Sequence, residues 1–157
     1  MVTKQHWDCS EQVEMQMVNT KESLLNLDGF VNNEFLELYV RLVERNTRTP
    51  QRAKFTNKHH IIPRSWFNIN KQSVDNSISN LVNLIYRDHV LAHYYLWLCT
   101  TGKLQYANEL AFFCLLSRNN KLTICDKHLM SSLPLYNTIY ESYKQKKHIH
   151  YNSYGDN

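Results

Sequence analysis

Lys54-Phe-Thr-Asn-Lys-His-His-Ile-Ile-Pro63 decides how this chain is read. It is a short strand-like run stopped by a proline, which has no N–H to give to a sheet ladder. Neighbouring side chains on a strand point to opposite faces, so His59 and His60 suit two different jobs better than one. Downstream, Leu81-Val-Asn-Leu-Ile85 alternates enough for a second strand, and the Asn- and Ser-rich stretch 64–79 between them reads as a loop. From Tyr86 to Thr100 the period turns helical, with Val90, Leu91, Tyr94, Tyr95 and Leu98 on an apolar stripe and Gly102 as its stop. His89 and His93 fall four residues apart on that helix, one turn apart on one face, a spacing that can chelate one ion. Zinc proteases also use a helical histidine pair, but they need a glutamate directly after the first one. Here that position is Val90, so the protease reading fails.

Working outward, Asn33 is a good N-cap for a helix in which Phe35, Leu36, Leu38, Tyr39, Leu42 and Val43 recur until about Arg45. Residues 46–53, with Pro50, read as a polar connection, and 10–27 as a weak helix. Leu104–Ser117 reads as an apolar helix burying Leu104, Leu110, Phe112, Phe113, Leu115 and Leu116 on more than one face. A further helix is expected from Asp126 to about Lys147, interrupted or begun by Pro134. Three glycines and three prolines leave little turn chemistry, in keeping with long helices. The expected fold is α+β and mostly helical. It has an N-terminal helical segment (1–53), a strand–strand–helix unit (54–100) and a C-terminal helical extension (101–157), compact as one domain.

The net charge of +4 hides an asymmetry. Residues 1–40 hold two lysines against seven acids, and residues 41–157 hold sixteen Lys and Arg against seven acids. The densest stretch carries Arg41, Arg45, Arg48, Arg52, Lys54, Lys58 and Arg64 against Glu44 alone. Such a cluster suits a phosphate backbone, because each cation that neutralises a phosphate releases counterions; a solvated loop is the bland alternative. Cys9, Cys99, Cys114 and Cys125 form no C-x-x-C pair, which excludes a zinc ribbon and a thioredoxin-type motif. Cys99 and Cys114 fall in apolar helical stretches, as small hydrophobes do. With no secretory apolar run and no run of membrane-spanning length, the cytoplasm is the expected compartment and no membrane partner is expected.

His59-His60-Ile61-Ile62-Pro63, then Ser79-Asn80-Leu81-Val82-Asn83-Leu84, then His89 and His93 together resemble the motif of the HNH endonucleases. The variant is the one with a His-His opening and an H-x-x-x-H close, as in colicin-type DNases and many phage-borne enzymes. The resemblance covers about residues 54–98. It implies a ββα-metal unit, a β-hairpin and a helix wrapped on one divalent ion. His59, His89 and His93 would be the metal ligands, His60 the general base that activates water, and Asn80 the asparagine that fixes the loop behind the base. Flanking zinc-binding cysteine pairs are absent, so packing and hydrogen bonds are expected to hold the loop. Arg64 and Arg87 are candidate phosphate clamps, with Lys58 and Arg52 as further DNA contacts. Asp88 reads as a helix N-terminal charge pointing off the metal face, and Asp75 as a turn residue.

The implied function is hydrolysis of DNA phosphodiester bonds, on double-stranded DNA, in a bacterial or phage-infected cell, as a homing or phage-type enzyme. Cleavage of both strands would call for a homodimer or two sequential events. The cofactor would be one divalent ion, Mg²⁺ or Mn²⁺, with Zn²⁺ and Ni²⁺ as further candidates because three imidazoles suit transition metals. The alternative from a different class is a helical nucleic-acid-binding module without catalysis.

Overall fold

The computed structural model describes residues 19–50, 56–116 and Ser131. The chain divides into two compact units, Met1–Leu116 and Ser117–Asn157, and the hairpin with the helices packed on it belongs to the first. Arg52, the first part of the 10–27 segment and the helix expected from Asp126 lie outside the described residues.

The described elements run α1 (residues 19–25), α2 (Glu34–Arg48), β1 (Asn57–His60), α3 (Arg64–Ile69), a 3₁₀ turn (Ile78–Asn80), β2 (Leu81–Leu84), α4 (Tyr86–Leu98) and α5 (Gly102–Leu116). The fold is mixed α+β and mostly helical, with one two-stranded antiparallel sheet among the described residues.

Helix α2 starts where its sequence says it should. The Asn33 side-chain oxygen accepts from the N–H groups of Phe35 (3.0 Å) and Leu36 (3.1 Å), satisfying two donors that a helix start leaves open. Glu34 and Glu37 sit in the first turn and Arg45 and Arg48 in the last, each sign opposing the helix dipole. Leu36, Tyr39, Val40 and Val43 recur on one face, and all four are buried. The helix runs to Arg48, three residues past the expected end, because Asn46, Thr47 and Arg48 bond back to carbonyls four residues earlier.

The hairpin pairs Asn57 with Leu84, Lys58 with Asn83, His59 with Val82 and His60 with Leu81. In this register His59, Val82 and Leu84 are buried while Lys58 and Asn83 face solvent. Between the strands the expected loop contains the six-residue helix α3. Its Trp66 and Phe67 are buried against Leu104, with Leu27, Phe30, Ile62 and Val74 around them. Six residues are too few to show a helical period, and tertiary burial holds this turn rather than propensity.

Helix α4 is covered on several sides, by α2, by α5 and by the hairpin. It buries Val90, Leu91, Ala92, Tyr94 and Leu96 and the carboxylate of Asp88, so the single apolar stripe expected from its sequence is widened by its neighbours. Tyr94 and Trp97 pack on Phe112 of α5 at ring-centroid distances of 5.5 Å and 5.8 Å. Leu110, expected inside, is 49% exposed, and Cys114 is exposed while Cys99 is buried. The exposed residues share the outer face of α5, and Leu104, Phe112 and Phe113 carry its contact with the core. Gly102 does not end α4; it opens α5, with φ +61°, a backbone that glycine adopts without strain. The α4 terminus is Leu98, and Phe30 bridges Thr100 just beyond it.

Candidate metal centre and cleft

The hairpin and the start of α4 bring three histidines together. One ring nitrogen from each of His59, His89 and His93 lies within 4.8 Å of the other two. Among the described residues this is the one group of three His, Cys, Asp or Glu side chains so arranged. The rings of His59 and His89 are 5.2 Å apart, those of His59 and His93 5.0 Å, and those of His89 and His93 5.0 Å. The i, i+4 spacing on α4 thus places two imidazoles side by side, and the buried strand position of His59 closes the triangle from across the sheet.

All three are held neutral. Burial lowers His59 well below the usual imidazole value, with His93, His89 and His60 adding to it. Burial brings His89 down to about 4. Burial, then the neighbouring His89, brings His93 down to about 3. A neutral imidazole is the form that ligates a metal, so at neutral pH no proton need be displaced.

The residues fit an ion on one further count. The Nε2 atoms of His89 and His93 stand 3.2 Å apart; two nitrogens sharing one tetrahedral ion at about 2.0–2.1 Å would stand roughly 3.3–3.4 Å apart. On the opposite side of each ring, Nδ1 of both residues is buried without a hydrogen-bond partner among the described residues.

His60 sits beside this cluster and not in it. Although strand neighbours diverge, His59 and His60 both line one cleft of about 320 Å³, because β1 ends at His60 and the chain bends at residues 61–62. Nε2 of His60 lies 2.9 Å from the side-chain oxygen of Asn76. That oxygen accepts, so Nε2 carries the hydrogen and Nδ1 is left as the basic atom. The cleft is further lined by Lys58, Pro63, Arg64 and Ser65 and by Ala107 and Ala111 of α5.

Asn80 holds the turn behind His60. Its buried side chain accepts from the Ile62 N–H (2.8 Å) and donates to the carbonyls of Asp75 (2.9 Å) and Ile62 (3.4 Å). Its own carbonyl accepts from the Ile61 N–H at 2.9 Å. Asp75 caps the local turn by accepting from the Ser77 N–H at 2.8 Å, and bonds from Ser77 lower its carboxyl below the usual range. The 61–80 connection is therefore tied by hydrogen bonds, with no cysteine in it.

The basic residues divide. Lys58 and Arg64 are exposed at the cleft. Arg87 donates to Asp88 at 3.3 Å. Asp88 does more than offset a helix end: its buried carboxylate also accepts from Arg45 (3.2 Å) and Asn46 (3.4 Å), tying α4 to α2. Tyr39, Asn76, Ala107 and Ala111 are the site residues that the sequence did not disclose. Tyr39 reads there only as part of an apolar stripe, and side-chain bonds across 16 to 20 residues leave no periodic signal.

No family model, no curated protein and no solved structure matches the chain. Among the described residues no helix is long and apolar enough to cross a membrane.

Proposed function

We propose that this chain is a metal-dependent endonuclease of the HNH type, hydrolysing phosphodiester bonds of double-stranded DNA. The observation that carries the reading is one cleft holding three neutral, converging imidazoles with a fourth, hydrogen-bonded histidine at their edge. The antiparallel hairpin followed by a helix, with Asn80 clamping the turn between, is the arrangement that the sequence motif implies.

His59, His89 and His93 would hold one divalent ion, and that ion would supply Lewis-acid stabilisation of charge developing on the phosphate and the leaving oxygen. Lys58 and Arg64 attract and orient the phosphate backbone at the mouth of the cleft. His60, with its hydrogen on Nε2 shared with Asn76, takes a proton from water at Nδ1. The water oxygen then bonds to phosphorus and the bond from phosphorus to the 3′ oxygen breaks. A solvent proton completes the leaving hydroxyl, so the products carry a 5′ phosphate and a 3′ hydroxyl.

The test is conversion of supercoiled plasmid to open-circle and linear forms with Mg²⁺, Mn²⁺, Zn²⁺, Ni²⁺ or EDTA, beside His60→Ala. Cutting should require an ion and fall by roughly 10²–10⁴-fold in the variant, the usual worth of a general base. Binding of DNA that persists in EDTA and in His60→Ala, with no cutting under any ion, would replace the nuclease by a binding module.

A further inference from the structure

The hydroxyl of Tyr39 has one proton, and its position fixes the state of a neighbour. Tyr39 donates that proton to the carbonyl of Ile61 at 2.7 Å. The same oxygen lies 3.0 Å from Nε2 of His59. With its only proton committed, the hydroxyl can only accept there, so Nε2 of His59 must carry a hydrogen. A neutral imidazole protonated on Nε2 has its lone pair on Nδ1. Tyr39 is wholly buried, and its ring meets that of His59 edge-on at 6.0 Å and 71°. Its anchor is fixed in turn, because Ile61 is bonded to Asn80 through its own N–H. The bonds run without a break from Asn80 through Ile61 and Tyr39 to His59.

We propose that Tyr39 is a positioning residue of the metal centre: its hydroxyl, anchored on the Ile61 carbonyl, selects the Nε2–H tautomer of His59 and presents Nδ1 as the ligand atom. The proposal rests on the metal-centre reading above. It also separates the three histidines. Nδ1 of His89 and of His93 has no hydrogen-bond partner among the described residues, whereas the ring of His59, on β1, is oriented from behind by Tyr39 of α2. Partners of this kind fix ring orientation and raise ligand basicity, and their removal usually weakens metal binding about 10–100-fold.

Tyr39→Phe keeps the ring and removes both hydrogen bonds. Two readouts on the full chain decide the matter. In the metal-free protein, ¹⁵N–¹H correlation spectra of the histidine rings should show His59 as the Nε2–H tautomer, with the Nδ1–H form appearing in the variant. In competition with a chromophoric chelator, the variant should hold Zn²⁺ about 10–100-fold more weakly than the wild type. Thr100→Val serves as the control for plain loss of stability. It removes a buried hydroxyl bonded to the Leu96 carbonyl outside the cleft lining, and it should lower the melting temperature while leaving Zn²⁺ affinity unchanged. An Nδ1–H tautomer in the wild type overturns the role of Tyr39, and does so even if Tyr39→Phe fails to fold. Unchanged Zn²⁺ affinity in the variant, beside normal wild-type binding, overturns that role and leaves the metal centre standing. A wild-type chain that binds no divalent ion overturns the centre itself, and the positioning role with it.

Discussion

The floor and the rim of the cleft are built on opposite terms. On the floor, His59 is 2% exposed, its neighbours are depressed to about 4 and about 3, and each ring is held by helix or sheet packing. On the rim, Lys58, Arg64 and Asn76 are exposed, and His60 is held by one side-chain bond to a loop residue. The floor buries Nδ1 of His89 and His93 without a hydrogen-bond partner among the described residues, which costs folding free energy. The rim costs little and lies open to solvent. Substitutions on the floor should therefore change ion binding and stability, and substitutions on the rim should change rate and DNA affinity alone.

The largest effect should come from His93→Ala. It is expected to abolish ion binding by titration calorimetry and reduce plasmid cutting to the level seen in EDTA. His60→Ala should bind the ion as the wild type does. Equal loss of ion affinity in both variants would erase the distinction between floor and rim.

Acid offers the next test. His89 and His93 titrate at about 4 and about 3 in the folded protein, against about 6.5 for an exposed imidazole in the unfolded chain. As pH falls below 6.5 the unfolded chain takes up these protons first. The stability of the metal-free protein is thus full above that pH and declines as the folded values are approached. Urea midpoints measured in EDTA should fall between pH 7 and pH 5, above the range where carboxylates titrate, and His93→Leu should flatten part of that slope. A midpoint indifferent to pH in this window would mean that the imidazoles are not buried as described.

The smallest effect belongs to Arg64→Ala. Losing one phosphate contact should weaken DNA binding at low salt and reduce the slope of log K against log salt by roughly 1. Titrations by fluorescence anisotropy at several salt concentrations would read it. A change in ion affinity instead would move Arg64 from the rim to the floor.

How much of the molecule was legible in the sequence depends on the range of the interactions. Asn33 and the apolar residues after it announced α2, and the alternation at Leu81–Ile85 with the Pro63 stop announced the hairpin, because caps, stops and periods are local. The His89–His93 spacing placed two imidazoles together for the same reason. Helix α3 stayed hidden because Arg64-Ser-Trp-Phe-Asn-Ile69 is shorter than two turns, and what holds it is Leu104, far along the chain. The exposure of Leu110 was equally hidden, since α5 is apolar nearly all round and only its partners decide which face is covered. Tyr39 and Asn76 act through single hydroxyl and amide bonds to histidines 20 and 16 residues away, and no period records such a bond.

Two methyl groups of α5 carry one more consequence. Ala107 and Ala111, a turn apart, line the cleft, yet α5 contributes none of the four histidines. The imidazoles and the room beside them are thus written in separate stretches of the gene. Larger side chains at those two positions would narrow the cleft and leave every histidine of it in place.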